Sequence, residues 1–526
     1  MKKIVTFPKI LFFFYLIIGI YLSINTGISH DELHEELNWL KNFEAYKSIF
    51  GLGDYKELAN YQDKYYGISF QLISQPIQFF THGFVTEITK TSKYASYLLS
   101  KHISIILIFF LSGIYFYRLC FLISKSKKFS TISTCIYLTF PYLYGHALIN
   151  PKDIPFLAFW LISTFYYFKI LKSVYDESFI AFKSIFKLAI LTSFLVSIRI
   201  VGLLIFFEFV IGLFVLLNFK KKINLFLILR NNLKHICSFI LIFLLTIYIL
   251  NPVVWFNPLE IVNSISQMSK YFNNVCTLTL GKCEKSLDLP ASYYFIWIFF
   301  KLPIMSLFGL LIYPLIEKKI FKSEFSNVIL LTIIISIVSI IFLFILKNVA
   351  IYDEIRHILF IMPLILILSF YSIYLLKEKI FHIFSFITLL LFFLDSFRMY
   401  PYQYTWMNEF ARLYDINKNF EIDYWGTSNI NLQKKIINFY KKEKYNNNIC
   451  VYGDAYTSAY LEKYNFKCFD HYVKIDEIKV RPFLAYQNLR NLKRNSPNDC
   501  ELIGEESYSY FFSKQKLVVG KLWYCY

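Results

Sequence analysis

The sequence predicts an all-α polytopic membrane protein of about eleven transmembrane helices, with a large first outer loop and a small C-terminal extracytoplasmic α/β domain. Three observations predict it. The 526 residues are 56% hydrophobic and 20% aromatic but only 17% charged, and soluble domains, near 25% charged on average, have far less apolar surface to hide. Apolar runs of spanning length recur until about residue 396, where that composition stops. Lys and Arg also segregate, 21 in segments on one side of the spans against seven in the short loops of the other. That is the positive-inside asymmetry, and it places the N-terminus in the cytoplasm. The net charge of +19 therefore reports orientation and implies no nucleic-acid partner. With 16 Gly, 14 Pro and 9 Cys, collagen-like, disordered and disulfide-scaffold classes are excluded.

In chain order the spans read near 8–25, 96–119, 129–145, 154–171, 183–198, 200–219, 235–252, 293–315, 327–346, 356–376 and 379–396. The first lacks a small-residue cleavage site and reads as a retained anchor. An odd number of spans leaves the tail outside. The expected domains are a transmembrane module, 1–396, whose first extracytoplasmic loop is 26–95, and an extracytoplasmic domain, 397–526. In that tail residues 448–454 read as a strand and the stretch to Tyr464 as a helix. Tyr293 and Tyr294 head a span and read as aromatic-belt residues. Cys276 and Cys283 share one outer loop, and Cys450, Cys468, Cys500 and Cys525 lie in the tail. An even number outside permits disulfides, Cys276–Cys283 being the simplest pairing, with unpaired thiols as the alternative. The chain holds no Asn-x-Ser/Thr sequon, which favours a bacterial inner membrane over the endoplasmic reticulum.

A membrane scaffold needs no carboxylates at its outer surface, so the polar clusters there carry the functional information. Directly after the first span comes Ser29-His30-Asp31-Glu32-Leu33-His34-Glu35-Glu36. On a helix Asp31 and Glu35 share a face, as do His30 and His34. A solvated first turn, a metal site built on the two histidines and a catalytic carboxylate compete as readings. The second cluster is His146, Asn150, Pro151, Lys152 and Asp153. Asp153 stands at the edge of an apolar run, where a charge is paired or functional, and Lys152 is its obvious local partner. Arg199 tips a hairpin between two spans, either snorkelling or part of a site. The fourth cluster runs from Asn348 to His357 and includes Tyr352, Asp353, Glu354, Arg356 and His357; it reads either as a self-neutralising surface pair or as a cationic clamp whose guanidinium suits phosphate. Lys101, Glu208, Lys301 and Asp395 fall within spans with no partner evident from sequence. An acidic patch facing a cationic patch at the lipid boundary suits a lipid-linked phosphate substrate, the carboxylate acting as base and the cations on the leaving phosphate.

These segments resemble the GT-C superfamily of membrane glycosyltransferases, closest to its protein O-mannosyltransferase and aminoarabinose-transferase branch (glycosyltransferase family 39). The segments are Ser29-His30-Asp31-Glu32, Tyr66-Gly67, Tyr144-Gly145-His146 with Asn150-Pro151-Lys152-Asp153, and Tyr352-Asp353 with Arg356-His357. Tyr400-Pro401-Tyr402-Gln403-Tyr404 and Asp423-Tyr424-Trp425-Gly426 complete them. The resemblance implies inverting transfer of a sugar from a polyprenyl-phosphate-linked donor to a glycan, lipid or protein acceptor. It implies Asp31 as base beside Glu32, with Asp153 orienting acceptor or metal. His146, Asn150, Lys152, Arg199, Tyr352, Arg356 and His357 are the expected substrate-binding residues. Two departures stand out: Tyr66-Gly67 occupies the place of a Lys-Pro-Pro type motif, and Asp353-Glu354 adjoins the expected phosphate clamp. The acidic loop permits a divalent cation but has no diagnostic ligand spacing, so no cofactor is firmly implied and metal-independent transfer is expected. The alternative is a transporter or flippase of lipid-linked sugars. Transporters gather ionisable groups at the midplane of repeated halves, a pattern this sequence lacks.

Overall fold

The computed structural model describes the chain except for residues 1–5, 178–179, 221–224, 270–273, 321–323, 443–448, 454–457, 465, 472–474 and 489–496. Among the described residues seven helices are long and apolar enough to cross a membrane: Lys93–Ser124, Asp153–Asp176, Ile200–Phe219, Leu225–Leu250, Phe325–Leu346, Arg356–Leu376 and Glu378–Met399. The architecture is that of a polytopic helical membrane protein with a small C-terminal sheet.

Three of the eleven expected spans do not take the form of one continuous long helix. Residues 129–145 break into helices Lys127–Thr139 and Pro141–Ile149, because Pro141 has no N–H with which to continue the ladder. Residues 293–315 become Ser292–Lys301 and Ile304–Ile316, bent by 118°. Leu302 between them is extended, the conformation favoured before a proline, here Pro303. The expected 183–198 span is a helix of 17 residues, Phe182–Ile198, ending at Arg199. The first expected span is a continuous helix, Thr6–Ile24, of 19 residues.

The loop after the first span folds into helices His30–Ser48, Tyr55–Ala59 and Ser69–Thr89. The first begins on a capping box, with the Glu32 carboxylate accepting from the Ser29 N–H at 2.7 Å, as Ser-x-x-Glu predicts. Three buried acids of this helix each meet a basic side chain of the bundle. Glu32 faces His102 (3.1 Å), Glu35 faces Lys152 (2.7 Å) and Glu36 faces Lys101 (3.2 Å). The loop is thus docked by buried charge pairs, whose partners must stay together once desolvated. The other buried charges find partners too: Glu208 with the Trp160 indole (3.1 Å), Lys301 with Glu354 (2.7 Å) and Asp395 with Arg412. Tyr293 and Tyr294 are buried, and the Tyr293 hydroxyl donates to the Glu354 carbonyl at 3.0 Å. They are core residues, not the belt expected from sequence.

Strands β1 (Cys276–Thr279) and β2 (Lys282–Lys285) form a hairpin closed by Cys276–Cys283. The C-terminal sheet comprises β3 (Cys450–Gly453), β4 (Cys468–His471), β5 (Phe483–Asn488), β6 (Cys500–Tyr508) and β7 (Leu517–Cys525). Its order is β4-β3-β5-β7-β6, with β3 parallel to β4 and β5, and β7 antiparallel to β5 and β6. Helix Ser428–Lys442 packs Leu432 and Ile436 against Leu484, Tyr486 and Leu522 of this sheet. Within the described residues the strand expected over 448–454 is β3, Cys450–Gly453, its two ends at 448 and 454 lying outside them. The helix expected up to Tyr464 lies partly outside the described residues, and its described part holds a 3-10 turn, Leu461–Lys463. Tyr402, Tyr404, Trp406, Tyr424 and Trp425, which precede the sheet, share the core of the helical bundle.

Candidate functional site

The site begins with the segment that delivers Arg356. Asp353 and Glu354 adopt φ of 55° and 66°, a region that non-glycine residues enter only when their surroundings hold them there. Here the Asp353 N–H donates to Thr277 Oγ1 (2.9 Å), Tyr293 binds the Glu354 carbonyl, and Lys301 binds the Glu354 carboxylate. The Asp353 carboxylate then faces Arg356 Nη2 at 3.2 Å. The guanidinium lies over two aromatic rings, Tyr352 at 4.8 Å and Trp425 at 4.9 Å, a geometry that favours a desolvated cation. Its Nη1 points to Asp31 (3.3 Å) and Asp153 (3.7 Å).

Asp153 is positioned by the Asn150-Pro151 turn. Asn150 Oδ1 accepts from the N–H groups of Lys152 (3.1 Å) and Asp153 (2.8 Å), while its amide donates to Asp153 Oδ2 (2.9 Å), as Asx turns do. Asp153 pairs with Arg199 and Arg356. Its expected local partner, Lys152, reaches Glu35 instead and lies 4.1 Å from the Tyr66 ring centre. Burial pushes the Lys152 ammonium down, opposed by Glu35. Burial also raises the Glu35 carboxyl, but Lys152, His34 and Lys101 together outweigh it and leave Glu35 below the ordinary carboxylate range. His146 is buried behind this layer, bonded to the Asn150 amide (3.0 Å) and Tyr424 (3.2 Å). His357 packs on the Tyr352 ring at 4.6 Å.

Asp31, Lys152, Asp153, Arg199, Tyr352 and Arg356, scattered over more than three hundred positions, therefore meet at one end of the bundle. Asn150 and His146 support them, and His357 adjoins Tyr352. Glu32 does not join them: it is buried against His102 and its own helix cap. Accessibility separates the three carboxylates named as catalytic. The Asp31 side chain is 47% exposed and that of Asp153 only 3%. The cationic side is also internally balanced, since Lys152, Arg199 and Arg356 stand among Asp31, Glu35, Asp153 and Asp353. Of the acidic pair beside Arg356, only Asp353 bears on it, because Glu354 faces Lys301.

The residue that sequence reasoning passed over is Trp425, present only within a four-residue motif. Its carbonyl accepts from the His30 N–H at 3.0 Å, which fixes the start of the helix bearing Asp31. Gly426 makes the approach possible: at φ +69° a Cβ would fall 2.0 Å from His30 Nε2. The two loop histidines diverge, His34 bonding Asp63 at 2.7 Å while His30 lies against Gly426. Among the described residues no group of three His, Cys, Asp or Glu side chains is arranged to hold a metal ion. Tyr66 also lines a cavity of about 160 Å³, walled by Ile200, Leu203, Phe243 and Leu244. No family model matches the chain, and no curated protein matches it either.

Proposed function

We propose that the protein transfers a sugar from a polyprenyl-phosphate-linked donor to an acceptor hydroxyl, with inversion. The observation that carries the reading is Asp31, a half-exposed carboxylate beside a buried, aromatic-flanked guanidinium. In the proposed step Asp31 takes the acceptor's hydroxyl proton and the acceptor oxygen attacks the anomeric carbon. The bond from that carbon to the carrier phosphate oxygen breaks, and its electron pair leaves with the polyprenyl phosphate. One displacement inverts the anomeric centre. Arg356, Arg199 and Lys152 take up the phosphate by exchanging part of their present carboxylate contacts. Asp153, buried between two arginines, orients them rather than meeting the acceptor. The apolar walls of the cavity beside Tyr66 suit a carrier tail.

The wider reading is a GT-C-like enzyme of the family 39 type with eleven membrane crossings, three of them short, broken or bent. Its N-terminus is cytoplasmic, and its site and C-terminal sheet face the extracytoplasmic side of a bacterial inner membrane. The transferase reading is tested by Asp31→Asn, which keeps the side chain's shape and removes its basicity. Transfer is expected to fall by about 100-fold or more with expression and membrane insertion unchanged, followed by mass spectrometry of carrier lipid and surface glycans. Full activity in the variant would remove Asp31 from the role of base. Carrier moved between leaflets without covalent change would make the protein a transporter.

A further inference from the structure

Helix Glu260–Met268 packs inward through Glu260, which accepts from the Tyr65 hydroxyl and lies 3.4 Å from Lys64 Nζ, and through the buried Ser264. Its outward surface is divided: Asn263 and Gln267 are exposed on one side, and on the other Leu259 is 67%, Val262 61% and Ile265 45% exposed, with Phe256 just before them at 77%. A soluble surface would bury that side, since apolar area left in water forgoes roughly 25 cal/mol per Å².

Two further observations identify what covers it. The helix follows the span Leu225–Leu250 after a nine-residue turn, and that span exposes Leu241, Leu244, Leu245 and Ile249 along its flank. Its outward face therefore continues a surface that already meets lipid. Between the two lies a chain of aromatic rings. Trp255 donates its indole N–H to the Tyr248 carbonyl (2.7 Å) and packs on Tyr46 (5.5 Å) and Tyr55 (6.4 Å); Tyr55 in turn packs on Phe256 (4.4 Å). Tyr46 also donates to the Ile249 carbonyl at 3.0 Å. Tyr and Trp, apolar in body and polar at one end, collect at the headgroup level of a bilayer. The belt that Tyr293 and Tyr294 do not form is here.

We propose that Phe256–Met268, together with Ile49, Phe50 and Leu52 at the end of helix His30–Ser48, rests in the headgroup layer as an interfacial collar. The partner of this surface is the lipid bilayer. The collar is tied to the site through Glu260 and Tyr65, whose neighbour Tyr66 covers Lys152, so it holds the Asp31–Arg356 cluster near headgroup depth. The proposal needs only the membrane reading and is independent of sugar transfer.

The test uses full-length protein in a Cys135→Ser, Cys237→Ser background, reconstituted in phosphatidylethanolamine–phosphatidylglycerol vesicles. Nitroxide labels are placed at Val262→Cys, Ile265→Cys and, as the polar-face control, Gln267→Cys. Labels at 262 and 265 are expected to collide several-fold more often with oxygen than with a water-soluble nickel chelate, and the label at 267 to show the reverse. Equal access of the chelate to all three would overturn the proposal. So would shielding of 262 and 265 from both reagents with dipolar broadening, the signature of a second copy. Should Val262→Cys fail to fold, Leu259→Cys reports on the same face.

Discussion

At the scale of single residues, the arrangement turns on one guanidinium and the two rings beside it. Arginine suits this place because its charge is delocalised over a plane that can stack while its edge donates. Tyr352 arrives from the segment just before Arg356, but Trp425 comes from the far side of the last span and also caps the Asp31 helix through its carbonyl. Trp425 therefore sets the plane of Arg356 and the position of Asp31 together. Under the proposed function, Trp425→Ala is expected to lower kcat/KM by about 2- to 30-fold, the range spanned by a cation–π contact of roughly 0.5–2 kcal/mol. Trp425→Phe should retain most of the activity. In an Arg356→Lys background, where the stacked plane is already lost, Trp425→Ala should add little. Strict additivity of the two changes, read from steady-state kinetics, would show that Trp425 acts elsewhere.

At the scale of elements, Asp423 joins the helical bundle to the sheet. Buried at φ 43°, its carboxylate accepts from the Thr427 N–H and hydroxyl (both 3.0 Å), the Ser428 N–H (3.3 Å), the Tyr404 hydroxyl and the Asn488 amide of β5. Burial outweighs these bonds and pushes its pKa up to about 6, against about 3.9 in an unfolded chain. The folded form thus holds the proton more tightly. The resulting stability is fully present below about pH 4 and is lost as pH rises through about 6. Thermal melting in detergent from pH 4 to 7.5 should show Asp423→Asn gaining on the wild type as pH rises, by up to about 3 kcal/mol; a pH-independent difference would contradict it. Little of this junction was legible in the sequence. Seven long apolar spans were, because lipid demands such runs, and Pro141 and Pro303 stood in plain view where two further expected spans break. The site residues were legible one by one, as charges that a span edge does not tolerate without cause. Their pairings were not. Lys152 adjoins Asp153 in sequence yet binds Glu35, 117 positions away, and Asp31 meets Arg356 across 325. Such choices are set by the packing of helices, which a local pattern does not contain.

At the scale of the whole molecule, the distribution of cysteines bears on which end of the bundle faces which compartment. In register across the sheet, Cys468, Cys450, Phe483, Cys525 and Cys500 form one row, and disulfides Cys450–Cys468 and Cys500–Cys525 tie its two edges. The third disulfide closes the hairpin whose Thr277 holds Asp353. The hairpin disulfide therefore sits with the site and the other two belong to the C-terminal sheet, whereas the free cysteines, Cys120, Cys135 and Cys237, belong to helices Lys93–Ser124, Lys127–Thr139 and Leu225–Leu250. Disulfides persist where the compartment is oxidising, so the proposed orientation requires the site end to be extracytoplasmic. Denatured without reductant, the protein should accept a polymer-linked maleimide on three cysteines, and after reduction on all nine. On spheroplasts, an impermeant phosphine followed by an impermeant maleimide should mark Cys283, which is exposed on the hairpin. Labelling of Cys283 only after the membrane is permeabilised would reverse the orientation and place the Asp31–Arg356 cluster in the cytoplasm. The extracytoplasmic transfer proposed above would then fail even with its site geometry intact, because compartment and chemistry are separate requirements.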